Sequence, residues 1–319
     1  MTVIQPLPVA VPEDPPVSLW RDAWGRLRKN RMAVVSLVVI AVLAFAAIFG
    51  PSLTPYDFLS QDLESRNLSP SFGHFFGTDE LGRDVFSRVV YGTRTAFIVA
   101  IVVTTISATL GTVLGACAGY FGGAFDRFIM WITDMTMSVP QLLLVLVINA
   151  SLKPPLARFM EEQYTLTHNP FFRNSVIVDF VLVFGSMALI LWPGYARLVR
   201  AQVLSIRNRP YVTAARALGL TTPLIIMRYV IPNAIGPLIV AVSAGLGAAM
   251  VLESAFSFLG VGVNPPIPSW GNMISDGLQV WRNYPHLLAA PAIVLGIATI
   301  AFSFLGDGLN DALNPRGSK

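Results

Sequence analysis

The sequence predicts an all-α integral membrane protein: about six transmembrane helices, both termini on the cytoplasmic side, and a helical cytoplasmic loop between spans four and five. Three observations carry that prediction. The 319-residue chain is 54% hydrophobic and only 13% charged, about half the charged share of a soluble domain. Six apolar runs, at 32–49, 95–120, 128–150, 180–196, 234–252 and 287–305, approach the length that a bilayer core requires. They are continuous, whereas strands of a membrane barrel alternate apolar and polar residues over about ten positions. The third observation is how charge is sorted. With the N-terminus inside, 14 of the 22 basic residues fall on cytoplasmic segments. Arg21, Arg26, Arg28, Lys29 and Arg31 precede the first span, and Arg127 follows the second. The loop after span four adds Arg197, Arg200, Arg207, Arg209, Arg216 and Arg228, and the tail adds Arg316 and Lys319. The first outer loop instead balances its arginines with Asp57, Asp62, Glu64, Asp79, Glu80 and Asp84. The net charge of +4 is therefore a topology signal and not a nucleic-acid surface.

Taken in order, residues 1–19 are Pro-rich and read as a disordered tail. Residues 20–31 read as an interfacial helix, with Trp20 and Trp24 four apart on one face, leading into the first span. "AFA" at 44–46 resembles a cleavage site but falls inside the apolar run, so that run is expected to be a retained anchor. Residues 32–94 comprise the first span and an acidic outer loop ending in an elbow helix. There Val85, Val89 and Gly92 share a face, and Asp84 and Arg88 are expected to form an i,i+4 pair. The transmembrane body spans 95–306, with an outer segment at about 151–175 that is too polar to cross and is read as a long loop. A Gly/Pro-rich stretch after span five, "SFLGVGVNPPIPSWGNMISDGLQVW", predicts a broken or re-entrant piece. The last residues, 307–319, form a cytoplasmic tail.

Several chemistries are missing from the sequence. The lysines are Lys29, Lys153 and Lys319, and none follows a glycine, so no Gly-Lys-Ser/Thr phosphate cradle exists on this chain. His74, His168 and His286 lack metal-ligand spacing, and HExxH, CxxC and G-x-S-x-G are absent. The chain is thus expected to have no catalytic residues, no metal site and no cofactor of its own. The acids in or beside spans are Asp134, Asp179 and Glu253. An intramembrane carboxylate is a functional suspect by default, although Asp179 and Glu253 also fit positions at the outer interface. Asp134 shares a helical face with Ser138 and Gln141, beside Pro140, which suits either a wet pathway or an interhelical contact. Asp134, Ser138, Gln141 and Glu253 are the pathway candidates.

The most distinctive stretch is "YVTAARALGLTTP". Pro210 fits a first helical turn, and Tyr211, Ala214, Ala215 and Leu218 form a small apolar face. Gly219 supplies a left-handed stop, and Thr221 or Thr222 caps a second helix running to Pro232. Residues 193–237 contain no Asp or Glu, which suggests contact with something acidic or anionic. The face is narrow, with small alanines between one Tyr and one Leu, so a protein cleft fits better than lipid.

Here a family resemblance enters. Ala214, Ala215, Gly219 and Pro232 match in spacing the cytoplasmic loop of permease subunits of bacterial ABC importers. Thr213 stands where that family usually has Glu, and Ile231 where it usually has Leu. "FGTDELGRDVFSRVVYGTR", "LESAFSFLGVGVNPPIPSWGNMI" and "GDGLNDALNPR" resemble the C-type permease of the dipeptide/oligopeptide branch. The likeness covers about residues 20–316, and the segment at 151–175 is longer than the family's. The resemblance implies a multi-pass subunit of the bacterial inner membrane that pairs with a homologous B-type permease. It implies two cytoplasmic ATPase domains, which would bind ATP and Mg, and an extracytoplasmic binding protein. Tyr211, Thr213, Ala214, Ala215, Arg216, Leu218 and Gly219 would then be the coupling helix, seated in an ATPase cleft. The competing expectations are a passive channel or scaffold without ATPase partners, or the same importer class carrying haem, nickel or a glutathione-like compound.

Overall fold

Five of the six apolar runs each lie on one helix, and those helices are longer than the runs. The computed structural model describes residues 19–173 and 175–313. The expected tail at 1–19, except Leu19, lies outside the described residues, as do Arg316, Lys319 and the side chain of Asp179. Among the described residues the structure is helical, with no strand and one isolated bridge between Thr78 and Asp84. Six helices are long and apolar enough to cross a membrane.

A short amphipathic helix, α1 (Leu19–Lys29), precedes α2 (Arg31–Leu53), the first span. Asn30 separates them, its side-chain oxygen accepting the Ala33 N–H at 3.2 Å and so capping α2. A loop with a single 3₁₀ turn leads to α3 (Val85–Phe121). The elbow helix and the second span are thus one rod of 37 residues, about 55 Å long and well beyond a bilayer core. Asp84 does not pair with Arg88. It caps α3, accepting the Ser87 N–H at 2.7 Å, and meets His74 Nδ1 at 2.9 Å.

The expected third span is broken. α4 (Gly123–Ser138) ends at Val139–Pro140, both in extended conformation, and α5 (Gln141–Thr167) begins anew. Proline disfavours helix in the residue before it, so Val139 is where the rod must stop. α5 then continues through the segment expected to be a loop, carrying Pro154 and Pro155 within it, until His168 adopts a left-handed conformation. The charges at 151–167 hid the continuation of this helix. One turn, α6 (Pro170–Arg173), and the fourth spanning helix, α7 (Ser175–Ile206), follow. Next come α8 (Pro210–Ala217), α9 (Thr222–Ile225) and a π-helical turn over Ile226–Val230. The chain ends in α10 (Ile231–Phe258), α11 (Trp270–Val280) and α12 (Pro285–Leu313).

Two packings fix the bundle. Gly111, Gly115 and Gly119 form a small-xxx-small-xxx-small stripe on α3, a register missed in the sequence. A Cβ on Gly111 would lie 2.7 Å from the Trp192 carbonyl, one on Gly115 would strike the Ala196 carbonyl, and one on Gly119 would stand 3.0 Å from that of Arg200. The backbones of α3 and α7 therefore touch, which is how helices associate in lipid without a hydrophobic drive. At the chain ends, Ala23 and Leu27 of α1 pack with Ala33 and Ala312, and Arg26 Nη1 donates to the Ala312 carbonyl at 3.2 Å. The first and last spans thus begin and end on the same side, as an even number of crossings requires. α8 lies on that side too; α11 and residues 54–84 lie at the opposite end.

Candidate functional site

The α8 unit is built on the ends of the spans. Pro210 occupies its first turn, and Gly219 stops it at φ +79°. Gly219 N–H donates to the Arg216 carbonyl at 3.0 Å, and Leu220 N–H to that of Ala215 at 3.2 Å, the paired bonds of a glycine C-terminal cap. The face drawn from the sequence is split by the structure. Val212 and Ala215 are buried among Ala116, Val199, Val203, Ile206, Ile225 and Val230, so of the expected face only Ala215 points inward, joined by Val212, which the sequence reading passed over. Tyr211, Thr213, Ala214 and Arg216 are exposed, and Leu218 is 80% exposed. Val212 to Ala215 is an i,i+3 step beginning at the one β-branched apolar residue of the helix. That was the available signal.

Arginines fasten this unit to the chain itself. Arg216 Nη2 donates to the Tyr120 hydroxyl at 3.3 Å, its guanidinium lying 5.7 Å from that ring, and Arg207 Nη1 donates to the Gly119 carbonyl at 2.8 Å. Arg197 pairs with Asp134. Arg200 grips Asp126 at both oxygens, with Nη2–Oδ2 at 2.6 Å. That hydrogen bond is the main reason the Asp126 carboxyl sits below the usual range. Four of the six arginines in the acid-free stretch therefore have partners within this chain. Arg197 and Arg200 stand on α7 itself, not in a loop.

Asp134 and Ser138 remain one turn apart on α4, but Gln141 opens a different helix, so the expected three-residue polar face does not exist. Asp134 makes the interhelical contact, and Ser138 Oγ turns back to the Met135 carbonyl at 2.8 Å. The helix after α8 also departs from expectation. It does not stop at Pro232: α9, the π turn and α10 form one continuous span, Thr222–Phe258. The wide turn closes with Ile231 N–H on the Ile226 carbonyl, directly before Pro232.

Glu253 lies at the far end of that rod and is fully buried, not at a wet interface. Ser257 Oγ donates to it at 2.7 Å and Ser254 Oγ at 3.3 Å. The Gly/Pro-rich stretch folds back onto this point. Val263 N–H donates to Ser257 Oγ at 2.9 Å, Asn272 Nδ2 donates to the Val263 carbonyl at 2.6 Å, and the buried Trp270 Nε1 donates to the Val89 carbonyl at 3.2 Å. Gly262 and Gly271 lie so close to Ser257 and Ser254 that a side chain at either would collide. Glu253 is thus the base of a polar knot tying the return loop and α11 to α10 and α3. Among the described residues no group of three His, Cys, Asp or Glu side chains is arranged to hold a metal ion.

The comparisons with known proteins agree with this architecture. Residues 111–319 match the family described as binding-protein-dependent transport system inner membrane component. Residues 18–70 match the N-terminal TM domain of oligopeptide transport permease C. The chain is 35% identical to a dipeptide transport system permease protein of Alkalihalophilus pseudofirmus, covering 98% of this chain and 97% of the relative. It is 37% identical to the dipeptide permease protein of Bacillus subtilis, over 95% and 87%. It is also 34% identical to the oligopeptide permease protein of that organism, over 94% and 90%.

Proposed function

We propose that this chain, which belongs to the family of binding-protein-dependent transport system inner membrane components, is the C-type permease subunit of an ATP-driven peptide importer. It is a multi-pass protein of the bacterial inner membrane. Its near full-length likeness to dipeptide and oligopeptide permeases favours di- and oligopeptides as cargo over haem, nickel or a glutathione-like compound. The chain supplies no phosphate-binding loop, so ATP and Mg²⁺ would be held by partner ATPase subunits. A homologous B-type permease would complete the pathway, and an extracytoplasmic protein would deliver the peptide.

The observation that carries the mechanism is the two-sided α8. Its inner face grips the ends of α3 and α7 and the root of the Thr222–Phe258 rod, while Tyr211, Ala214 and Leu218 are left bare. A helix of eight residues is barely stable alone, and this one is held by packing on one side and free to be gripped on the other. A cytoplasmic ATPase domain closing around the bare face would pull on α7 and on the rod together. Because α3 and α7 touch backbone to backbone, they would move as a unit. The rod carries the displacement to the Glu253 knot at the opposite end, and the cavity alternates between inward and outward access.

The test uses the complete complex reconstituted in liposomes with its partner permease, ATPase subunits and binding protein. Leu218→Asp should leave the complex assembled in the membrane yet lower its stimulation by loaded binding protein about tenfold or more. Stimulation equal to that of the unsubstituted complex would remove α8 from the coupling role.

A further inference from the structure

We infer that a pocket at the end opposite α8 is a binding site for a carboxylate group, with the Arg88 guanidinium as its donor. The pocket, about 260 Å³, opens between residues 79–83, the first turn of α3, α11 and the start of α12. One wall carries Arg83 and Arg88; the other is apolar, from Met273, Val280 and Leu287.

Arg88 is the unusual member. It is 4% exposed, and its Nη1 has no hydrogen-bond partner. Two nearby acids are engaged elsewhere, and Asp276, which also lines the pocket, forms no ion pair with it among the described residues. Asp84, at i−4, caps α3 and meets His74. Asp79 Oδ1 accepts the N–H groups of Leu81 and Arg83 at 2.9 and 3.0 Å, and its Oδ2 accepts Arg83 Nε at 2.7 Å. Arg88 Nε is left 3.7 Å from that same oxygen, too far for a hydrogen bond. A buried guanidinium with an unmet donor costs free energy that a surface arginine would avoid. A planar, singly charged acceptor placed in the adjoining pocket removes that cost with a charge-assisted bond.

The rim narrows the ligand class. Glu80 and Asp276 stand there, which selects against a phosphate dianion. The apolar wall receives the aliphatic part of whatever carries the group. Given the importer reading, on which this step rests, two sources face that end: the carboxylate of the peptide, or an acidic side chain of the binding protein.

The experiment uses the reconstituted importer, with Arg88→Lys, which keeps the charge but loses the planar fork, and Val280→Trp, which fills the pocket without touching Arg88. Binding of alanyl-alanine and of its C-terminal amide is measured without binding protein, and affinity for the peptide-free binding protein is measured separately. A peptide source predicts that the amide binds about tenfold more weakly and that both variants bind the free acid about tenfold more weakly. A protein source predicts no dipeptide effect, but about a tenfold loss of binding-protein affinity in both variants. Neither loss in either variant, in preparations still stimulated by loaded binding protein, overturns the site. Absence of stimulation in the unsubstituted importer would instead count against the importer reading.

Discussion

At the α11 end of the bundle, Glu253 and the polar groups around it find partners within the chain, whereas the α8 end leaves a helix face uncovered. Glu253, Ser254, Ser257 and Asn272 form a closed set, with Trp270 wedged beside them. Across the membrane, α8 buries two side chains and turns Tyr211, Ala214 and Leu218 outward. The first arrangement makes a rigid seat, and the second an incomplete surface. Rigidity is what a lever needs at its far end, and incompleteness is what a docking element needs at its near one. Arg88, also at the α11 end, is a buried cation whose Nη1 has no partner, beside a pocket.

The sharpest way to break this comparison is to truncate one aromatic side chain at each end. Trp270→Ala removes a fully buried indole and its bond to the Val89 carbonyl, and should cost about 3–5 kcal/mol. Tyr211→Ala removes an exposed ring and should change stability by less than about 0.5 kcal/mol. In the assembled importer it should lower ATPase stimulation several-fold. Thermal midpoints of the purified chain in detergent give the first quantity. Equal midpoints for the two variants would mean that the ends do not differ as described.

Val212→Asp asks whether the inner face of α8 is what holds it. A carboxylate in the apolar cluster of Val199, Val203 and Ile225 should cost on the order of 3 kcal/mol. The loss should be local, because α8 sits at the edge of the bundle. Amide exchange should speed up about a hundredfold within α8 while α11 keeps its protection. Unchanged exchange in α8 would show that the arginine contacts alone hold the helix.

The spans and the glycine stop were legible because they depend on local properties: hydrophobic length, and a position that only glycine occupies easily. What was not legible depends on distance. Asp126 and Arg200 are 74 positions apart, so the acid-free stretch gave no sign that four of its six arginines have partners elsewhere on the chain. The break before Pro140 was signalled, yet the apolar run across it outweighed the proline. The helical course of 151–167 was concealed by its charges, since polarity reports on the surrounding medium and not on backbone conformation. Glu253 could be flagged from its place at a span's end. That it is sealed depends on Gly262 and Gly271 bringing the return loop into contact, which is a tertiary fact.

Ser257→Ala measures the strength of the knot. The hydroxyl donates to Glu253 and accepts the Val263 N–H, so its loss leaves two buried groups short of a partner and should cost about 1–3 kcal/mol. Transport should fall less than stability, since the seat is loosened and not removed. A thermal midpoint within error of the unsubstituted chain would mean the return loop is held by packing alone.

The smallest effect concerns Thr213, the residue that departs from the family pattern. It is exposed in the first half of α8, and its hydroxyl lies 3.4 Å from the Arg209 carbonyl. No side-chain hydrogen bond caps the start of this helix, so Thr213→Glu would place a negative charge near an uncapped positive dipole end and four residues from Arg209. Both contacts are worth a few tenths of a kcal/mol. The variant should therefore be as stable as the parent or slightly more so, with ATPase stimulation retained. A large loss of stimulation with stability intact would show that the bare face is read by its charge. Retention would show that its shape suffices, with Tyr211, Ala214 and Leu218 as the contact and Arg216 kept at home by Tyr120.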